Sequence, residues 1–113
     1  MSVSASYRAF MLEQLGTVAP VNAKSMFGGV GVYSEGLFFA LMDDDALYFK
    51  VDDSNRPDFE ARGMDAFHPY GDERAMGYFE LPSEVLEDTE ELAEWMRKAL
   101  KVAVSKPRKK KVR

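Results

Sequence analysis

Several groups of side chains in this sequence could do chemistry. The string Phe27-Gly28-Gly29-Val30-Gly31-Val32 has the look of a phosphate-binding loop. Such a loop needs G-x-x-x-x-G-K-[ST] ahead of a helix, so that backbone amides and a lysine converge on the phosphates. Here Gly31 runs into Val32, Tyr33 and Ser34, with no lysine and no helix. A dinucleotide fingerprint starting at Gly29 and Gly31 lacks its third glycine, because Ser34 takes that place. The glycines therefore read as structural, at a bulge or under a crossing helix.

Asp43, Asp44 and Asp45 suggest a cation site, but consecutive carboxylates point in different directions. The spacing also lacks the alternation and distal glutamate of a calcium loop. A solvated hairpin turn is the better reading, and Asp52 and Asp53 read likewise as turn and cap residues. His68, the single histidine, stands in Phe-His-Pro-Tyr with no nucleophile or carboxylate in a recognisable motif, and is expected at a surface or an edge. Glu84 and Glu87 would share a helix face, whereas glycosidase carboxylates flank a scissile bond from two sides of a cleft. With no cysteine and one histidine, disulfides, thiol catalysis and multi-histidine metal sites within one chain are excluded. No catalytic residue, cofactor or metal is expected, and the chain is not expected to be an enzyme.

The charge is unevenly placed. Residues 1–96 carry −13 and residues 97–113 carry +9, for a net charge of −4. Six of the positive charges, Lys106, Arg108, Lys109, Lys110, Lys111 and Arg113, fall in the last eight residues. They are the candidate nucleic-acid-binding residues, since a cationic arm can follow a polyanion. A solvated terminus is the alternative. The aromatics Phe27, Tyr33, Phe38, Phe39, Tyr48, Phe49, Phe67, Tyr70, Tyr78 and Phe79 are dense on the expected strands. A sheet face of that kind can stack bases, but the acidic body repels phosphate and no RNP-like string occurs. Core and a subunit interface are the better roles.

The elements that hold these residues follow from periodicity. Residues 4–17 read as a helix capped by Ser4 or Ser6, with Tyr7, Phe10, Met11 and Leu15 on one face and Gly16 as its left-handed end. The stretch TVAPVNAKS reads as a connection. Strands follow at Met26–Tyr33, Leu37–Met42 and Ala46–Val51, joined by the turns Ser34-Glu35-Gly36 and Asp43-Asp44-Asp45, an antiparallel meander. A short helix covers 54–62, capped by Ser54 or Asn55. Strands at Ala66–Tyr70 and Ala75–Leu81 flank a Gly71–Arg74 turn. A helical turn at 83–86 precedes the main helix at 89–104, where Leu92, Trp95, Met96, Ala99, Leu100 and Ala103 recur at helical spacing. Trp95 is expected in the core. Asp88 and Glu91 have capping-box spacing, and Pro107 is expected to stop the helix. The 113 residues, 46% apolar and 30% charged, suit one small globular body. The expected organisation is a domain at 1–104 and a basic disordered tail at 105–113. The expected class is α+β, a two-layer sandwich with an antiparallel five-stranded sheet and the helices on one face.

The strings Met26–Tyr33, Gly36 with Phe39-Ala40, and Leu47-Tyr48-Phe49-Lys50-Val51-Asp52 resemble the signature of the TfoX N-terminal domain. This is the amino-terminal half of the TfoX/Sxy competence regulators. Phe59, Gly63, Phe67 with Tyr70, Met76-Gly77-Tyr78-Phe79, Leu81-Pro82, and Leu86-Glu87-Asp88 with Leu92, Trp95 and Ala99 extend the likeness over about residues 5–104. The resemblance implies a secretion-chaperone-like fold, α-β(3)-α-β(2)-α, and a stand-alone copy of a domain that regulators couple to a helical carboxy-terminal half. It implies no catalytic residue. The expected function is a non-enzymatic regulatory or protein-interaction module touching transcription through an unidentified protein partner. The alternative is a weak, non-specific nucleic-acid binder acting through the tail. A homodimer is expected, because the fold class it resembles often dimerises. The MSVSASYRAF start lacks a basic n-region and an apolar h-region, so no secretory signal is expected, and no apolar stretch reaches the length of a membrane span. No membrane contact is expected, and the expected address is the cytoplasm.

Overall fold

The computed structural model describes residues 3–26, 29–67 and 77–111, and the side chains of all of these except 26 and 105–111. Helix α1 spans Ala5–Gly16, and the Ser4 hydroxyl accepts from the Tyr7 N–H at 3.2 Å, as the sequence suggests. Gly16 is not the left-handed residue expected. Thr17 closes the helix in right-handed geometry, its hydroxyl donating to the Gln14 carbonyl at 2.7 Å.

Five strands then form one antiparallel sheet in sequence order: β1 (Asn22–Met26), β2 (Gly29–Ser34), β3 (Leu37–Asp43), β4 (Ala46–Lys50) and β5 (Tyr78–Glu80). The class is the expected α+β, but the strands differ in part. β1 forms where a connection was expected. It is one of the sheet's two outer strands, and a polar sequence such as Asn22-Ala23-Lys24-Ser25 is tolerated at an edge. Of the strand expected at 66–70, Ala66 makes an isolated bridge to Phe79, and residues 68–70, His68 among them, lie outside the described residues. The element order is therefore α-β-β-β-β-α-β-α-α.

The two hairpin loops are as read from the sequence. Glu35 and Gly36 have φ of 51° and 84°, and Asp44 and Asp45 both 54°. Paired left-handed residues give the turn whose twist matches that of the flanking strands. The glycine string is structural at Gly29: a Cβ there would stand 2.4 Å from the Met42 carbonyl oxygen.

Helix α2 (Arg56–Glu60) has Pro57 in its first turn. Asn55 precedes it but does not cap it. Its buried amide instead accepts from the Asp52 N–H at 2.9 Å and donates to the Lys50 carbonyl at 3.1 Å, fixing the strand-to-helix turn. Helix α3 (Ser83–Glu87) confirms the expected turn, and α4 spans Thr89–Lys111. The Asp88 carboxylate accepts from the Glu90 and Glu91 N–H groups at 3.1 and 3.2 Å, one half of the capping box that its spacing suggests, while the Glu91 carboxylate pairs with Arg62 and the Asp88 N–H donates to the Val85 carbonyl. α4 does not stop at Pro107 but runs four residues past it. An interior proline removes one hydrogen bond and costs a helix about 3 kcal/mol. The neighbouring lysines and arginine are strong helix formers, and positive charge at a C-terminal end complements the dipole.

All four helices supply side chains to one core on one face of the sheet. Met11 and Leu15 of α1, Phe59 of α2, Val85 and Leu86 of α3, and Leu92, Trp95, Met96, Ala99 and Ala103 of α4 pack with Val30, Val32, Phe39, Ala40, Met42, Leu47 and Phe49. Trp95 is 7% exposed and meets Phe59 edge-on, ring centroids 4.7 Å apart. The helical face expected for α1 is narrower than predicted, because Phe10 points outward, 49% exposed.

Candidate functional site

The sheet face away from the helices carries Tyr33, Phe38, Tyr48 and Tyr78. Tyr33 stacks on Phe38 at 5.1 Å, Phe38 meets Tyr78 at 5.9 Å, and Tyr48 meets Phe67 at 4.8 Å. Lys24 stands over Tyr33, and Lys50 over Phe38 and Tyr78. These rings are engaged with one another and with lysines. Tyr78 is 5% exposed, and burial pushes its hydroxyl up to about 12.

The other feature is a groove of about 490 Å³ at the end of the molecule where α1, the start of β4, the β5–α3 connection and α3 meet. Its apolar lining includes Phe10, Met11, Leu47, Leu81 and Leu86. Carboxylates surround that lining: Asp45, Glu80, Glu84 and Glu87. Glu84 and Glu87 sit on α3 at the spacing that puts them on one face. Arg62 also borders the groove. Its guanidinium is held by Glu84 at 3.1 Å and by Glu91 in an ion pair, and lies 5.4 Å from the Trp95 ring centroid.

The walls are tied together. The Ser4 N–H donates to Asp45 Oδ1 at 2.8 Å and its hydroxyl to Oδ2 at 3.2 Å, pinning the start of α1 to the β3–β4 turn. The Gln14 side-chain amide donates to the Leu86 carbonyl at 2.9 Å, joining α1 to α3. Outside the groove, Lys98 of α4 pairs with Asp58 of α2 at 2.8 Å. Within the groove, burial, followed by the charges of Asp45 and Glu80, pushes the Tyr7 hydroxyl up to about 12. The groove thus combines an apolar floor with a negative field.

Of the residues singled out from the sequence, Asp45, Glu84 and Glu87 come together at the groove. Asp43–Asp45 form a hairpin turn, with Asp45 occupied by Ser4. Lys106, Arg108, Lys109, Lys110 and Lys111 lie on the last turns of α4, and Arg113 lies outside the described residues. The groove itself was missed. The signal for it was Phe10, three residues from Tyr7 on a weakly amphipathic helix, together with the Glu84–Glu87 pair.

The sequence model of the TfoX N-terminal domain matches residues 13–103. The chain belongs to the TfoX N-terminal domain family. No curated protein matches it. The matched span of this TfoX N-terminal domain runs from the last turn of α1 to Ala103 and so takes in the whole sheet and the core face of α4. Among the described residues of the domain no helix is long and apolar enough to cross a membrane, and no three His, Asp or Glu side chains are grouped to hold a metal ion.

Proposed function

We propose that this TfoX N-terminal domain is a non-enzymatic regulatory module that works by binding a protein partner in the groove beside α1 and α3. The observation that carries this reading is Phe10. A large apolar ring half in solvent lies outside the core cluster, yet it lines a groove that also carries Asp45, Glu80, Glu84 and Glu87. A well-packed apolar floor with a polar rim is the anatomy of a protein-binding site. Family membership supports a regulatory role, with transcription and competence as the setting that the family name suggests. A cytoplasmic address and self-association fit the same reading.

A second reading, weak nucleic-acid binding through the C-terminus, is favoured by the six positive charges in the last eight residues. If all six met phosphates on duplex DNA, log K would fall against log salt with a slope near −5, from about −0.9 per contact. No base-reading element accompanies them, so the binding would be non-specific. The test is the full chain against a variant with all six changed to glutamine. Retained capture of a specific protein, with equal or absent binding to random duplex DNA, supports the protein-interaction reading. DNA binding lost with the six charges, and no protein captured, supports the other.

A further inference from the structure

The groove and the end of α4 are complementary, and one chain cannot bring them together. The large apolar side chains exposed among the described residues are Phe10 and Val104, at 49% and 47%. Phe10 lies among Asp45, Glu80, Glu84 and Glu87. Val104 opens the stretch that carries Lys106, Arg108, Lys109, Lys110 and Lys111. The groove beside Phe10 thus carries four carboxylates and one arginine, whereas the stretch after Val104 carries positive charges alone. The cation already at the groove, Arg62, is engaged by Glu84 and Glu91. Burial first, and then the charges of Asp45 and Glu80, raise the Tyr7 hydroxyl in the groove wall.

The geometry excludes an intrachain match. The groove uses Glu84, Leu86 and Glu87 of α3, and α4 begins at Thr89. At ~1.5 Å per residue, a helix of this length sets its last turn about 33 Å from its first. A continuous α4 thus points its basic end away from its own groove.

We propose that the C-terminal end of α4 from a second copy of the chain docks in this groove, Val104 against Phe10 and the basic run against the carboxylates. This rests on the reading of the groove as a docking surface and names its occupant. If each copy gives its α4 end to the other, both contacts are satisfied in a closed two-fold pair rather than an open filament. The exchange also neutralises much of the charge asymmetry that the sequence carries, which makes the association salt-sensitive.

The test is sedimentation equilibrium of the full chain at low and at high salt. The expected result is a dimer at micromolar concentration whose association weakens about tenfold or more as screening shortens the reach of the charges. Two groove variants, Phe10→Ser and Glu87→Lys, and a tail variant carrying Lys109→Glu, Lys110→Glu and Lys111→Glu, are each expected to be monomeric under the same conditions. Phe10 and Glu87 are exposed, so their variants should melt like the wild type. An equimolar mixture of Phe10→Ser and the tail variant is expected to recover a dimer, because one intact groove then meets one intact tail. A monomeric wild type, undiminished association in the groove or tail variants, or a mixture that stays monomeric overturns the proposal. So does duplex DNA bound through the tail while the wild type stays monomeric, since it gives the tail a different partner. Each of these failures leaves the groove reading standing or falling separately, on whether Phe10→Ser loses a captured protein.

Discussion

Trp95 and Phe59 meet edge-on at 4.7 Å between ring centroids, and through that contact α4 holds α2 against the sheet. Both rings are buried. Trp95→Ala is expected to cost about 3–5 kcal/mol, as is Phe59→Ala, the usual range for a large core aromatic. The double variant should show a coupling of about 0.5–1.5 kcal/mol beyond additivity, the value of an aromatic pair. Urea melts of the three variants measure it. A Trp95→Ala loss below about 1 kcal/mol would contradict the packing of α4.

Gly29 decides between a structural and a ligand-binding glycine string. A methyl group at that position would stand 2.4 Å from the Met42 carbonyl oxygen, a backbone atom that cannot rotate away. Gly29→Ala is expected to destabilise by about 1–3 kcal/mol through overpacking between β2 and β3. The same melts would show a neutral Gly29→Ala if the strands had slack there.

What was legible in the sequence was whatever is fixed by neighbours along the chain. Leu92, Trp95, Met96 and Ala99 recur at helical spacing, and they are the core face of α4. Glu35-Gly36 and Asp44-Asp45 carry turn chemistry, and they are the hairpin loops. β1 was not legible because a polar edge strand has neither alternation nor apolar content; it is set by its pairing with β2. The groove was not legible because Phe10, Asp45, Glu80 and Glu87 come from separate segments that only the tertiary fold brings together. The basic C-terminus was read correctly as charge, but its helical backbone through Lys111 outweighs the breaking tendency of Pro107.

The start of α1 depends on the Ser4–Asp45 tie. Ser4→Ala removes a hydroxyl that caps the helix and also reaches the β3–β4 turn. It should cost about 1 kcal/mol, within the range for an N-cap serine. Thermal melts read the loss, and hydrogen exchange should show it concentrated in the first turns of α1. Uniform loss of protection across the sheet would contradict a local role.

Tyr7 and Tyr78 give the fold an alkaline limit. Both hydroxyls are raised from 10.0 to about 12, Tyr78 by burial and Tyr7 by burial with nearby carboxylates. Their folded values lie above the unfolded value, so this contribution to stability is whole below pH ~10 and is lost as pH rises towards ~12, because the unfolded chain releases those protons first. Each tyrosine contributes a slope of at most about 1.4 kcal/mol per pH unit in that window. Tyr78→Phe should flatten the slope by one tyrosine's share in urea melts taken from pH ~9 to ~12. An unchanged slope would mean that Tyr78 titrates alike in both states.

The central claim is that the groove beside Phe10 binds a protein. The most direct measurement is quantitative capture from the native host with the full chain and with Phe10→Ser, after melts have matched the two. A hot-spot side chain carries more than about 1 kcal/mol, roughly a fivefold change in affinity. The account predicts a protein captured by the wild type and at least about fivefold less by Phe10→Ser. Equal capture of the same proteins by both would contradict it.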